Sequence, residues 1–157
     1  MTLQGLYKWA SILNRQLKSG QMVETIIDTN EPFILDCVRN KQLYNKGVNA
    51  LGVSIMDYQP YKPLTIMLKS EKGQPADRVT LKDTGDFYES MRVEADRTQF
   101  EIVADDWKTD ELKAKYGDAI FGLTDENKGD LIWERLYPAM LKRTKGLMFG
   151  EDGDLPE

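Results

Sequence analysis

Two short runs of alternating apolar and polar side chains constrain the fold of this chain more than any other feature. Residues 91–95 and residues 100–104 each carry apolar side chains at every second position, with four polar residues between the runs. A period of two is typical of a strand with one buried face, and the polar residues between the runs predict a turn. We therefore predict an antiparallel hairpin with Phe100 and Ile102 on its buried face and Glu101 outside.

The N-terminal residues have a helical period instead. Apolar side chains follow each other at spacings of three and four, and Gly20 is a natural helix end. The stripe consists of Leu3, Leu6, Ala10, Leu13 and Leu17. It covers barely two heptads, so we predict a helix that packs on its own domain rather than a long coiled coil. A partner-binding helix is the alternative.

A second helical stretch runs from about residue 22 to residue 46. Asn30-Glu31-Pro32 predicts a break within it, because an N-cap residue is followed closely by a proline suited to the first turn of a helix. Gly47 is expected to end the stretch. The expected inner face consists of Ile34, Leu35, Val38 and Leu43.

Several glycines and prolines interrupt residues 48–81, so this stretch cannot form one continuous helix or strand. We predict a long irregular segment that engages other proteins, with one short helix from about Pro63 to Lys72. Leu64, Met67 and Leu68 are its expected inward side chains.

Two further helices follow the hairpin. One spans residues 109–117, with acidic residues early, lysines late and a closing glycine. The last starts near Thr124, and Pro138 is expected to kink or split it. The prediction is an α+β fold with N-terminal helices, a small antiparallel sheet with a hairpin at about 91–104, and a C-terminal helix. Residues 1–150 are expected to form one domain.

The residue types exclude much enzyme chemistry. The chain has no histidine and one cysteine, so it can form neither a Ser-His-Asp or Cys-His triad nor a zinc site that uses histidine. Cys37 lies in an apolar run and is expected to be a buried structural thiol. Residues 125–136 do not match an EF-hand, because glycine and glutamate are missing where calcium ligation needs them. We therefore expect no enzyme activity, no cofactor and no bound metal.

The net charge of −5 is unevenly distributed. Residues 151–157 carry four acidic and no basic side chains, so they hold four of the five excess negative charges. We expect this acidic segment to be a flexible tail. The rest of the chain is nearly neutral, which argues against sequence-specific binding of nucleic acid. The amphipathic start and the absence of a long apolar run argue against a signal peptide or a membrane partner.

Two segments of the chain carry a resemblance to a known family. The first is residues 79–91, with Thr84-Gly85-Asp86-Phe87-Tyr88, and it leads into the hairpin. The second is residues 116–124, with Tyr116-Gly117 and Phe121-Gly122-Leu123-Thr124, followed by Leu136-Tyr137-Pro138-Ala139-Met140. Their order resembles that of the tail-completion or head-to-tail joining (neck) proteins of tailed bacteriophages. The sequences of these segments are most similar to the version of the family found in phages of Bacteroidetes, including crAss-like phages.

The resemblance covers roughly residues 34–141. In the narrower group it implies recurrence of three further stretches: Gln42-Leu43-Tyr44-Asn45-Lys46-Gly47; then Tyr58, Tyr61, Thr65 and Lys69; and then Gly73-Gln74-Pro75. One departure separates the chain from the wider family, which has a Glu-Phe-Gly-Thr type stretch where this chain has Phe121-Gly122-Leu123-Thr124.

The resemblance implies a virion structural protein, assembled in the host cytoplasm, that forms a ring between the portal and the tail. Its expected partners are further copies of itself and portal, adaptor or tail-tube proteins. A non-enzymatic adaptor that binds a single phage or host protein is the alternative. The expected assembly or turn residues are Thr84, Gly85, Phe87, Tyr88, Tyr116, Gly117, Phe121, Gly122, Leu123 and Thr124.

Overall fold

The computed structural model describes residues 2–149, in which helices dominate and one hairpin provides the sheet. The helices are α1 (Leu3–Ser19), α2 (Gln21–Thr29), α3 (Glu31–Asp36), α4 (Pro63–Glu71), α5 (Asp86–Glu89), α6 (Thr109–Tyr116), α7 (Asp125–Asp130) and α8 (Tyr137–Phe149). The strands are β1 (Met91–Ala95) and β2 (Phe100–Ala104). The predicted α+β class is confirmed. The predicted flexible tail at 151–157 lies outside the described residues.

Four other helical stretches connect these elements. Cys37–Lys46 and Leu131–Leu136 are wide helical turns with hydrogen bonds from residue i+5 to residue i, whereas Ile55–Asp57 and Asp118–Phe121 are tight 3-10 turns. No helix among residues 2–149 is long and apolar enough to cross a membrane.

The chain divides into two compact units. The terminal unit consists of residues 2–30, Ala95–Phe100 and residues 130–149, and the central unit consists of Glu31–Glu94 and Glu101–Gly129. The single domain expected for residues 1–150 stays a prediction.

The core of the central unit is built around α3 and the wide turn that follows it. Ile34, Val38 and Leu43 are completely buried and Leu35 is nearly so, which confirms the predicted inner face. Cys37 is a buried thiol, as expected. The turn ends at Gly47, which has a positive φ of 63° and donates its N–H to the carbonyl of Gln42. A side chain at Gly47 would strain the backbone and would also meet Arg78 Cβ at 2.8 Å.

The hairpin forms where the alternation predicts it. The Asp96 N–H donates to the Gln99 carbonyl at 2.8 Å, and the Asp96 carboxylate accepts from the backbone N–H groups of Thr98 and Gln99. Hydrogen bonds from Thr98, followed by that from the Gln99 backbone, lower the pKa of the Asp96 carboxyl. Ile102 is buried and Glu101 is exposed, as predicted, but Phe100 is only half-buried.

Apart from α4 and the short turn Ile55–Asp57, residues 48–81 are irregular in backbone structure, but the first part of the segment is packed. Val48 and Ser54 form an isolated antiparallel bridge, and the Ala50 N–H donates to the Ala119 carbonyl at 2.8 Å. Asn49 and Ile55 are buried between these contacts. Spacings in the sequence do not reveal this packing, because Ala119, which accepts from Ala50, lies about 70 residues further along the chain.

Helix α4 forms where it is predicted, but the prediction of its inward face is wrong. Leu64, Met67 and Leu68 are each about half exposed or more, whereas Lys69 is buried. The reason is that α4 turns the face of Thr65, Lys69 and Lys72 toward a group of oxygen acceptors, described below.

In the terminal unit, α1 ends at Gly20 as predicted, with a φ of 69°. A Cβ at this glycine would lie 2.2 Å from the Arg97 carbonyl oxygen. Helix α1 contacts α2 and α8, but the predicted stripe is wrong in part, because Leu3, Leu6 and Leu17 are exposed and only Leu13 is half-buried. The half-buried face of the helix is displaced around its axis and contains Trp9, Ile12, Leu13 and Gln16. Apolar residues cover a wide arc of α1, and only one edge of that arc packs.

Pro138 is the second residue of α8 and follows the wide turn Leu131–Leu136. The Tyr137 N–H donates to the carbonyl of Ile132, five residues earlier. A proline removes one helical hydrogen bond and its ring crowds the preceding turn, so a widened turn in front of it is a low-cost solution. The predicted break is therefore present as a change in helical hydrogen bonding.

Candidate functional site

The central unit contains a pocket of about 300 Å³ between α4, residues 79–87 and α6. Its apolar floor consists of Leu68, Val79, Leu81, Phe87, Leu112 and Tyr116. Its charged lining consists of Lys69, Lys72, Lys82, Lys108, Asp83, Asp86 and Asp106. An apolar floor with a few polar groups around it is typical of ligand-binding sites.

Lys69 is the most deeply placed cation of this pocket, with 8% of its surface exposed. Its ammonium group donates to Gln74 Oε1 at 3.0 Å, to the Lys82 carbonyl at 2.8 Å and to Thr80 Oγ1 at 3.5 Å. The ammonium also lies 5.2 Å from the centre of the Tyr61 ring. The three acceptors are uncharged, so they satisfy the donors of the buried lysine without cancelling its charge.

The backbone beside Lys69 is strained and firmly held. Leu81 has a φ of 55° and is the one non-glycine residue with positive φ among residues 2–149. On one side of it the Thr80 N–H donates to Tyr61 Oη at 3.1 Å, and the Tyr88 hydroxyl donates to the Thr80 carbonyl. On the other side Gln74 Nε2 donates to the Asp83 carbonyl at 2.9 Å. Strained backbone persists only where its surroundings fix it, and it is common at ligand-binding sites.

Burial is the main reason why the pKa of the Tyr88 phenol is raised, and the nearby Tyr61 and Tyr44 add to the rise. The hydroxyl therefore keeps its proton well above neutral pH and remains a donor to Thr80. This hydrogen bond fixes the floor of the pocket independently of pH in the physiological range.

Positively charged side chains outnumber carboxylates by one around the pocket. Lys72 Nζ lies 2.6 Å from Asp83 Oδ1, and Lys108 Nζ lies 3.8 Å from Asp83 Oδ2. The hydrogen bond from Lys72 is the largest cause of the lowered pKa of Asp83, and the charges of Lys72, Lys108 and Lys69 lower it further. Lys82 lies over the rings of Tyr44 and Tyr88, at 5.1 and 5.9 Å from their centres. Four ammonium groups thus face three carboxylates around one apolar floor.

The pocket brings together residues from both segments that carry the resemblance. Thr84, Gly85 and Phe87 of the first segment line it together with Tyr116 of the second. The ring of Phe87 meets that of Phe121 edge-on, with 5.9 Å between the ring centres. Residues some 30 positions apart in the sequence therefore form one wall.

The turn at the start of α5 positions the first of these segments. Gly85 has a φ of 115°, which side-chain-bearing residues rarely adopt. Next to it, Thr84 Oγ1 donates to Asp86 Oδ2 at 2.7 Å. Phe87 follows at once and is buried, so the turn directs its ring into the wall of the pocket.

The remaining predicted site residues lie away from the pocket lining. Gly117 ends α6, and Leu123 is a buried core residue. Gly122 and Thr124 form hydrogen bonds with the buried side chain of Gln42. Gln42 Nε2 donates to the Gly122 carbonyl at 2.9 Å, and the Thr124 N–H donates to Gln42 Oε1 at 2.8 Å. The same oxygen accepts from Asn127 Nδ2 at 2.7 Å. These contacts hold the fold together, and Thr124 also lines a second cavity of about 460 Å³.

The charged lining of the pocket was not identified from the residue pattern. Only the resemblance includes Lys69 and Gln74, and no pattern in the sequence distinguishes Lys72, Lys82 or Lys108 as pocket residues. The four lysines are spread over 40 residues without a motif, so only the folded chain brings them together. The position of Lys69 directly after three apolar residues of a short, mostly apolar helix is the one signal that the sequence could have offered.

Comparison with protein-family models, with curated proteins and with solved structures returns no match for this chain. Among residues 2–149, no three histidine, cysteine, aspartate or glutamate side chains cluster closely enough to hold a metal ion. The arrangement of the pocket itself suits binding of a ligand that combines an apolar group with negative charge.

Proposed function

We propose that this chain is a structural protein of a tailed-phage virion, a ring subunit in the neck or tail that joins the portal or head to the tail. The resemblance at residues 79–91 and 116–141 supplies the class of protein. The observation that carries the proposal is an uncovered apolar surface on the helices of the terminal unit.

This surface consists of two exposed patches, which we together call the apolar helix face. On α1, Leu3 and Tyr7 are 85% and 78% exposed, and they lie one helical turn apart. Near the start of α8, Trp133 and Tyr137 are 67% and 51% exposed, and their rings meet edge-on with 5.6 Å between the centres. Large apolar side chains grouped in this way mark surfaces that bind other proteins, because water contact with them is unfavourable.

A ring explains why such a surface is left open on the single chain. In a ring each copy uses one surface to contact a different surface of the next copy, and every copy is covered only when the ring closes. The apolar helix face would be buried against the next copy of this chain. Tyr and Trp are also the side chains enriched at the energetically dominant positions of protein interfaces.

The proposal is tested by removing the apolar helix face without unfolding the protein. We expect a Tyr7→Ser, Trp133→Ser double variant to keep the far-ultraviolet circular dichroism of the unchanged protein and to be lost from purified virions. Trp107→Ser is the matched control, because Trp107 is also an exposed tryptophan, at 80%, but belongs to the central unit. It should be incorporated normally.

Deletion of the gene gives the second arm of the test. Phage without this protein should produce DNA-filled heads with separate tails, or heads that leak DNA. Intact, infectious particles from the deletion, together with absence of the protein from purified virions, would refute the structural role. A one-to-one complex with a single phage or host protein, measured by light scattering, would then establish the adaptor.

A further inference from the structure

We propose that the lysine-rimmed pocket of the central unit binds the acidic segment, residues 151–157, of a neighbouring copy. Leu155 would enter the apolar floor while the flanking carboxylates pair with the ammonium groups of the rim. This inference rests on the proposed ring, because the ring is what places a second copy beside the pocket. It deepens that proposal by naming one contact that links successive subunits.

The size of the pocket restricts what it can hold. A volume of about 300 Å³ is at the lower end of the range of roughly 300–1,000 Å³ that ligand pockets occupy. Such a space takes one or two side chains of a peptide. The apolar floor, with Val79, Leu81 and Phe87 at its centre, selects an aliphatic or aromatic group for the deepest position.

The charges around the floor select the flanks of the ligand. Asp83 pairs with Lys72 and lies near Lys108, and Asp86 and Asp106 accept hydrogen bonds from Thr84 and from the Lys108 N–H. With Lys69 and Lys82 included, the lining has four ammonium groups against three carboxylates. Lys72 and Lys108 remain partly exposed, with 53% and 34% of their side chains open to solvent. Each can therefore pair with an incoming carboxylate at the mouth of the pocket while its stem covers the apolar wall.

The acidic segment has the complementary composition. It contains Glu151, Asp152, Asp154 and Glu157, no lysine or arginine, and one large apolar side chain, Leu155, directly after an aspartate. It also holds four of the five excess negative charges of the chain. An aliphatic residue within an acidic peptide is what an apolar pocket with an ammonium rim recognises.

The pocket is also formed in advance of binding. The strained backbone at Leu81 is fixed from both sides by Tyr61, Tyr88 and Gln74, and Lys69 is already held by three acceptors. Little further ordering of the pocket is needed on binding, so a short segment can bind with useful affinity.

The test uses the full chain with its own acidic segment neutralised as the receiver. The receiver carries Glu151→Gln, Asp152→Asn, Asp154→Asn and Glu157→Gln. The probe is a fluorescein-labelled peptide with the sequence of residues 150–157, and binding is followed by fluorescence anisotropy. We expect saturable binding that weakens severalfold as the salt concentration rises from about 50 to 200 mM. A probe with Leu155→Ser should bind at least about tenfold more weakly.

Variants of the receiver locate the binding site. Lys108→Glu reverses a charge at the mouth of the pocket and should weaken binding by about tenfold or more. Lys8→Glu makes the same change in net charge on exposed α1 and should leave binding unchanged. Absence of binding, or equal effects of Lys108→Glu and Lys8→Glu, would overturn the inference.

The unmodified chain tests where the segment comes from. In dilute solution it should bind the peptide as tightly as the neutralised receiver does. Markedly weaker binding would mean that the acidic segment of each chain occupies the pocket of the same chain. This result would overturn the proposal that the segment comes from a neighbouring copy. If the peptide does not bind but the protein occupies virions, the inference fails and the ring stands. If the peptide binds but virions lack the protein, the ring fails and the neighbouring copy fails with it.

Discussion

Replacing Gln42 by leucine should destabilise the protein far more than its single amide suggests. Gln42 is 1% exposed, and its side chain connects the wide turn Cys37–Lys46 to the residues before and within α7. It donates to the Gly122 carbonyl and accepts from the Thr124 N–H and the Asn127 amide, at 2.9, 2.8 and 2.7 Å. Leucine has a similar size, so the substitution changes hydrogen bonding more than packing.

The magnitude follows from the groups that remain behind. The Gly122 carbonyl, the Thr124 N–H and the Asn127 amide would each lose a partner, and Asn127 is itself buried at 4% exposure. A buried polar group without a partner costs about 1–3 kcal/mol, so three such groups would cost about 3–9 kcal/mol. Because Gly122 and Thr124 are only half-buried, we expect the free energy of unfolding to fall by roughly 3–6 kcal/mol. This is a large share of the roughly 5–15 kcal/mol that stabilises a typical domain.

Urea unfolding, followed by circular dichroism, measures this loss. Gln59→Leu is the matched control, because it makes the same chemical change at an exposed position of the same unit, and it should shift the free energy by no more than about 0.5 kcal/mol. Asn127→Ala should be strongly coupled to Gln42→Leu in a double-mutant cycle, since the two residues share one hydrogen bond. A loss below about 1 kcal/mol for Gln42→Leu, or additive effects in the cycle, would refute the argument.

Three further predictions concern single positions of the central unit. Ile102→Ala should lower the free energy of unfolding by roughly 2–4 kcal/mol, whereas exposed Glu101→Ala should change it by less than about 0.5 kcal/mol; similar losses in urea melts would contradict the strand register. Gly85→Ala should cost about 1–2 kcal/mol through its φ alone, since only Glu89 Oε1, at 3.9 Å, would meet the new Cβ. Gly129→Ala in α7, with open space around it, should instead stabilise the protein by about 0.5–1 kcal/mol. If both substitutions changed the free energy of unfolding in the same direction, this explanation of the two glycines would be contradicted. Because the folded-state pKa of Asp83 is lowered, its contribution to stability is present above the unfolded pKa of about 3.9 and is lost as the pH falls through the folded value. The free energies of unfolding of wild type and Asp83→Asn should therefore converge in acid. A difference that widens in acid would contradict the ion pair.

The sequence predicted what depends on neighbouring residues. The hairpin follows from a period of two around Asp96-Arg97-Thr98-Gln99, and the ends of two helical stretches follow from Gly20 and Gly47, which take up backbone angles that other residues resist. The break near Pro138 also follows from local chemistry, although the sequence does not say that it takes the form of a widened turn. These features need no knowledge of the rest of the chain.

The faces that α1 and α4 bury could not be predicted, because each depends on partners distant in sequence. Helix α4 has apolar residues on most of its circumference, and the acceptors of Lys69 decide its orientation; the most distant of them is 13 residues further along the chain. Helix α1 has a wide apolar arc, of which only the edge at Trp9, Ile12 and Gln16 packs. The pocket needs residues from 61 to 116 in one place, so it exists only in the folded chain.

The two units differ in a way that bears on both proposals. In the central unit the buried side chains of Gln42 and Lys69 each make several hydrogen bonds, which fix the backbone around them. In the terminal unit, α1 and α8 contain no fully buried residue, and several of their large apolar side chains, among them Leu3, Tyr7 and Tyr137, are exposed. A helix that buries so little apolar surface gains little stability from its own chain. Contact with a neighbour would therefore stabilise α1 and α8 more than it would any element of the central unit, whereas the central unit can offer a pocket whose shape is already fixed before the neighbour arrives.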